Sequence, residues 1–110
     1  MEDNIDMLVV TSDTIEGKDI EVLGLVQGST VRSRNIGSDF LANLKNIVGG
    51  ELKSYSILLM QARQEAMERM IANAKEMEAD AVVNFRYETS TIAAAASEVI
   101  AYGTAIKFKN

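Results

Sequence analysis

The chain has 110 residues, one domain's worth, with 47% apolar and 25% charged residues, so it is globular rather than disordered. Its 16 acidic residues outnumber 11 scattered basic ones, for a net charge of −5, which argues against nucleic acid and anionic membrane surfaces as partners. It contains neither Cys nor His, which removes disulfides, thiolate chemistry, the commonest general base and the commonest transition-metal ligand.

The start, MEDNID, is acidic and lacks a signal-peptide pattern, and no apolar run approaches a membrane span, so the expected location is the cytoplasm. Met7 to Thr11 (MLVVT) reads as a strand. A polar connection follows, in which Gly17 can take positive φ. Ile20 to Gln27 reads as a second strand, with Gly24 marking a bulge or a close backbone approach. Gly28 to Asn35, carrying Arg32 and Arg34, either extends that strand or forms a loop.

Ile36, Phe40, Leu41, Leu44, Ile47 and Val48 share one face of a predicted helix, which Gly49 and Gly50 terminate. A second helix is predicted from about Glu51 or Ser54 to about Glu78. Its apolar stripe is Tyr55, Leu59, Ala62, Ala66, Met70, Ala74 and Met77, and Glu65 and Arg69 form an i, i+4 pair on its wet side. At about 38 Å, that helix is long enough to overhang a sheet of this size, a first hint of oligomerisation.

Ala81 to Ser90 reads as a strand, with Val83, Phe85 and Tyr87 expected on one face and Asn84, Arg86, Glu88 and Ser90 on the other. Thr91 to Ser97 reads as an alanine-rich connection. Glu98 to Lys109 is the last strand. Its face of Val99, Ala101, Gly103 and Ala105 is small enough to admit another backbone, a second hint of a subunit contact. The order β-β-α-α-β-β predicts an α+β fold, an antiparallel sheet with two helices packed on one face, as a single domain over 1–110.

Four constellations are candidates for function. Met60, Met67, Met70 and Met77 project within an arc of roughly 100° at helical pitch. Such thioethers either hold a soft ion such as Cu(I) or fill gaps in a core or seam. The Gly49–Gly50 break is either a helix-to-helix corner or an anion cradle at the start of the second helix. Arg32, Arg34, Asp39, Lys45, Glu51 and Tyr55 lie close in sequence and serve either a small polar ligand or salt bridges between subunits. Catalysis would fall to a set such as Glu51, Lys53 and Tyr55, whose spacing matches no known catalytic motif.

The segments RSRNIGSDFLANLKNIVGGELKSY and ARQEAMERMIANAKEMEADAVVNFRYETS, with GTAIKF near the end, resemble the YbjQ-like family of small bacterial and archaeal proteins. That family is described as a "putative heavy-metal-binding" domain of uncharacterised function. The resemblance spans roughly Val9 to Lys107. It implies a dodecin-like α+β fold assembled into a homopentameric ring. Its densest motif corresponds to Arg34, Asp39, Lys45, Gly49, Gly50, Glu51 and Tyr55, and a second block to Ala62, Arg63, Ala66, Ala79, Asp80 and Ala81. Where the family has glycine before its ADAVV segment, this chain has Glu78, so the helix is expected to end at greater cost.

These readings combine into a cytoplasmic, ring-forming binding module, with Arg34, Lys45, Gly49, Gly50, Glu51 and Tyr55 as ligand-binding candidates at subunit interfaces. The alternatives are a protein binding metal through carboxylates or methionines around a symmetry axis, and an enzyme.

Overall fold

The structure is a computed structural model. It describes residues 7–33, 50–93 and 96–109, leaving aside the side chains at 32–33, 50–56, 58, 91–93 and 96–97. In chain order the elements are β1 (Leu8–Val9), β2 (Ile20–Ser33), α1 (Gly50–Glu76), β3 (Ala81–Ala93) and β4 (Ala96–Phe108). The predicted helix over Ile36 to Val48 lies outside the described residues.

The strands form one sheet in the order β1-β3-β4-β2. β2, β4 and β3 pair antiparallel, but β1 runs parallel to β3, so the sheet is mixed where a purely antiparallel one was expected. The cause is the route of the segment between β1 and β2. β1 and β2 stand at opposite ends of the sheet, so the connecting residues must cross it. Val10 and Ile15 on that connection pack with Ile20 and Phe108 against the buried Ala81, Val83 and Ile106. Gly17 turns the chain at φ 79°, beside a hydrogen bond from Lys18 N–H to the Ile15 carbonyl of 3.1 Å.

β2 continues through Gly28 as far as Ser33, taking the strand reading of that segment. Gly24 is the predicted irregularity: the register with β4 shifts between Val22 and Gly24, and Gly24 sits at φ 147°. The expected alanine-rich connection is shorter than its composition suggests. β3 runs to Ala93 and β4 starts at Ala96, so the two strands form a long hairpin with only residues 94–95 between them.

The alternation of β3 also departs from expectation. Asn84 takes φ 56°, and the register with β4 shifts between Val83 and Arg86. This bulge breaks period-two alternation. Val82 and Phe85 therefore join the core under the helix, while Ala81 and Val83 pack on the opposite face. Asn84 suits the bulge because asparagine tolerates the left-handed region, and its N–H reaches the Ser12 carbonyl at 2.9 Å.

The helix lies along β2 and β4. Its Ala62, Ala66, Met70 and Ala74 are fully buried, against Val26, Val99, Ala101 and Ala105 of the sheet. The small face of β4, expected to receive another subunit, is covered by the chain's own helix. The approach is closest at Gly28, where an added side-chain carbon would lie 2.6 Å from the Ala66 carbonyl oxygen. Gly103 does the same for β3: there a side-chain carbon would meet Val82 Cγ1 at 2.6 Å.

At its far end α1 closes at Glu76, and Met77 and Glu78 form the turn that follows. Ala79 N–H bonds the Ala74 carbonyl at 3.1 Å and Glu78 N–H the Lys75 carbonyl at 2.9 Å. This pair is a Schellman cap, which requires a left-handed residue at Glu78, observed at φ 61°. Lys107 Nζ then donates to the Glu78 carbonyl at 2.8 Å. The expected cost of glutamate in place of glycine is thus located in one backbone angle.

The 27-residue helix is about 40 Å long. Among its described side chains Ala62 is the first that is buried, and Ile57, Leu59 and Met60 before it are exposed. The whole measures 58 × 26 × 25 Å, with a radius of gyration of 16.9 Å. A compact chain of this length would have about 13 Å.

Candidate functional site

Of the ligand-binding candidates, Arg34, Lys45 and Gly49 lie outside the described residues. Gly50 opens α1, and Glu51 and Tyr55 stand one turn apart on its first turns, with side chains that are not described. The described side chains nearest this end, Ile57, Leu59 and Met60, are exposed.

The four methionines occupy different environments. Met70 is fully buried in the core, Met67 and Met77 pack partly buried against it, and Met60 is 58% exposed. Met60 and Met77 are separated by seventeen residues, or roughly 25 Å along the helix axis, too far to share an ion within one chain. Met67, Met70 and Met77 instead line the helix–sheet seam, as flexible side chains do in an irregular core.

The test of a heavy-metal site is the donor set. Soft ions take thiolate, thioether or imidazole ligands. The sequence has no Cys or His. Among the described residues no three Asp or Glu side chains come together to hold a metal ion. The described residues therefore do not fit a heavy-metal centre within one chain.

The sheet presents a second candidate surface that was not singled out from sequence. On the face away from α1, register sets up rows across β2, β4 and β3: Val22–Ile106, Leu25–Thr104–Val83, Gln27–Tyr102–Arg86 and Ser29–Ile100–Glu88. The β1–β2 connection covers only one end. Val22 is 66% exposed, Leu25 65% and Val31 49%. The signal available in the sequence was alternation: Leu25 and Val31 sit in phase opposite to the buried Val26, Gly28 and Thr30.

Arg86 crosses from this surface to the β1–β2 connection, donating to the Thr11 carbonyl at 3.2 Å and to the Phe85 carbonyl at 2.8 Å. A separate cleft of about 280 Å³ is lined by Gly17, Lys18, Asp19, Phe108 and Lys109. Lys18 Nζ lies 5.0 Å from the Phe108 ring centre, a cation–π contact at an exposed position.

On the helix side, the Tyr87 hydroxyl donates to the Arg63 carbonyl at 3.3 Å, and its ring meets Phe85 edge-on at 4.8 Å. Burial raises the Tyr87 pKa above the ordinary phenol value, partly offset by the nearby Arg63 charge.

No helix among the described residues is long and apolar enough to cross a membrane. A family model described as "Putative heavy-metal-binding" (YbjQ_1) matches residues 7–109. A UPF0145 protein of Clostridium novyi is 54% identical, over 92% of this chain and 98% of its own length. An archaeal UPF0145 protein, from Methanosarcina acetivorans, is 48% identical over 94% and 99%. The fold is similar to that of a crystal structure of a protein of unknown function in the DUF74 family from Pediococcus pentosaceus, with TM-score 0.66 and 16% identity over 94% of this chain and 98% of that one. With the match covering nearly all its length, the chain belongs to the YbjQ_1 family, that of the UPF0145 proteins.

Proposed function

We propose that this protein is a self-assembling binding module of the cytoplasm rather than an enzyme. Copies associate through the open face of the sheet into a closed ring, five-membered as the family resemblance implies, and a small polar ligand binds where subunits meet. The observation that carries this reading is the row of exposed aliphatic side chains Val22, Leu25 and Val31 on one side of β2. Exposed aliphatic side chains on a sheet face, here interspersed with Gln27 and Ser29, favour association, which removes them from water. The elongated shape and the exposed Ile57, Leu59 and Met60 of α1 point the same way.

The ligand site belongs near the start of α1, with Arg34, Lys45, Gly49, Gly50, Glu51 and Tyr55. Opposite charges, a phenol and a glycine corner in one short segment suit a small polar molecule with both donor and acceptor groups. Glu51→Ala and Tyr55→Phe test this in assembled protein. Loss of a co-purifying small molecule from an intact ring supports a ligand role, whereas dissociation of the ring assigns both residues to the interface.

A second reading rests on the family's description as heavy-metal-binding. It requires donors from several subunits around an axis, and Met60 is the thioether most open to such an arrangement. Titration of the assembled protein with Cu(I) and Zn²⁺ tests it. The absence of stoichiometric binding removes it.

A further inference from the structure

β2 is fourteen residues long and stands at the edge of the sheet among the described residues. An edge of that length is a ready template for another strand. Its backbone does not face water evenly, however. Asn73 Oδ1 accepts the Gln27 N–H at 3.1 Å, and Arg69 Nη1 donates to the Ser29 carbonyl at 2.6 Å. Gln27 and Ser29 are two apart, so their backbone groups point the same way. Alternate residues of an antiparallel strand send these groups to opposite sides. A Gln27 N–H taken by the helix is one that does not serve β4, so both residues belong to the outward-facing set.

We propose that Arg69 and Asn73 are edge guards, which occupy the middle of the β2 edge and prevent a second strand from laddering along it. The chemistry is complementary: a side-chain acceptor meets the outward N–H and a side-chain donor meets the outward C=O, each in place of the group an incoming strand would supply. The arrangement is braced. Glu65 Oε2 holds the other terminal nitrogen of Arg69 at 3.1 Å, one turn back on the helix. Asn73 is one turn further on, so successive turns of α1 service alternate residues of β2. Gly28, between the two guarded residues, lets the helix come close enough for both side chains to reach.

The guard directs association. With the centre of the edge closed, strand-to-strand pairing of two β2 edges is interrupted at Gln27–Ser29, and self-association is left to the sheet face. This assignment does not depend on the face proposal, because it concerns a different surface.

The test is the double variant Arg69→Ala/Asn73→Ala, made both in the parent and in Leu25→Glu. Size distribution is followed by light scattering, and amide exchange is measured at Gln27. Expected are at least tenfold faster exchange at Gln27 and new concentration-dependent extended species that bind thioflavin T, in both backgrounds. If the double variant does not fold, Asn73→Ala alone, which frees only the Gln27 N–H, gives the same exchange readout. A folded variant with parental exchange at Gln27 and parental sizes overturns the guard role. A change confined to the Leu25→Glu background without guard substitutions bears on the face proposal alone.

Discussion

Gly28 of β2 lies directly beneath the backbone of Met70 on α1: a side-chain carbon placed on Gly28 would overlap the Met70 amide nitrogen. This one contact sets the distance between helix and sheet. Its neighbours Ala66 and Ala101 are fully buried and small, so backbone meets backbone across the layer.

Gly28→Ala is therefore expected to destabilise the fold by about 3 kcal/mol, because neither backbone can retreat without unpacking the core. Urea unfolding checks this through the midpoint. An unchanged midpoint would mean the helix rides higher than described.

Glu78→Gly is expected to stabilise by about 1 kcal/mol, since glycine takes the left-handed cap position without the cost a β-carbon imposes. Thermal unfolding by circular dichroism reads the gain. No gain, or a loss, would place Glu78 in some other role than a strained cap.

Much of this was legible in the sequence and some was not. Of the predicted α1 stripe, Ala62, Ala66, Met70 and Ala74 are buried and Met77 partly so, because period 3.6 is a clear pattern, whereas Leu59 is exposed and Tyr55 has no described side chain. Gly24 announced its bulge because a glycine inside a strand pattern has few other uses. The Asn84 bulge gave no such signal. Asparagine fits a strand's polar face as well as a left-handed position, so simple alternation places Val83 on the wrong side. The mixed sheet was hidden because no local pattern encodes which edge a two-residue strand joins. The small face of β4 signals an approaching backbone, but pattern alone does not say whose. Among the site candidates, the sequence could name Glu51 and Tyr55 as neighbours on one helix but not the open face. Exposure of Leu25 depends on which elements pack on that side, which local pattern does not encode.

Met70 separates packing from metal binding. Met70→Leu conserves volume and is expected to cost less than about 1.5 kcal/mol. Met70→Ala leaves a cavity and is expected to cost about 3 kcal/mol. Denaturant midpoints measured with and without Cu(I) check both. A Met70→Leu variant that loses Cu(I)-dependent stabilisation seen in the parent would reassign Met70 as a ligand.

Tyr87 should titrate above the ordinary phenol range. Because its pKa is raised on folding, the protonated phenol is favoured in the native state. The stabilisation is fully present below pH of about 10, where the unfolded phenol ionises, and is lost as pH rises through the folded pKa. Absorbance near 295 nm during an alkaline titration, compared with Tyr87→Phe, isolates this step. A Tyr87 contribution at or below the ordinary phenol value would contradict the partial burial of its side chain against α1.

The central claim is that the open sheet face is an assembly surface. Native mass spectrometry of the 12.0 kDa chain beside Leu25→Glu tests it most directly. The account predicts one closed assembly of about five chains for the parent and a folded monomer for Leu25→Glu, with matching circular dichroism. A parent that remains monomeric at micromolar concentration, or a Leu25→Glu variant that assembles as the parent does, would contradict it.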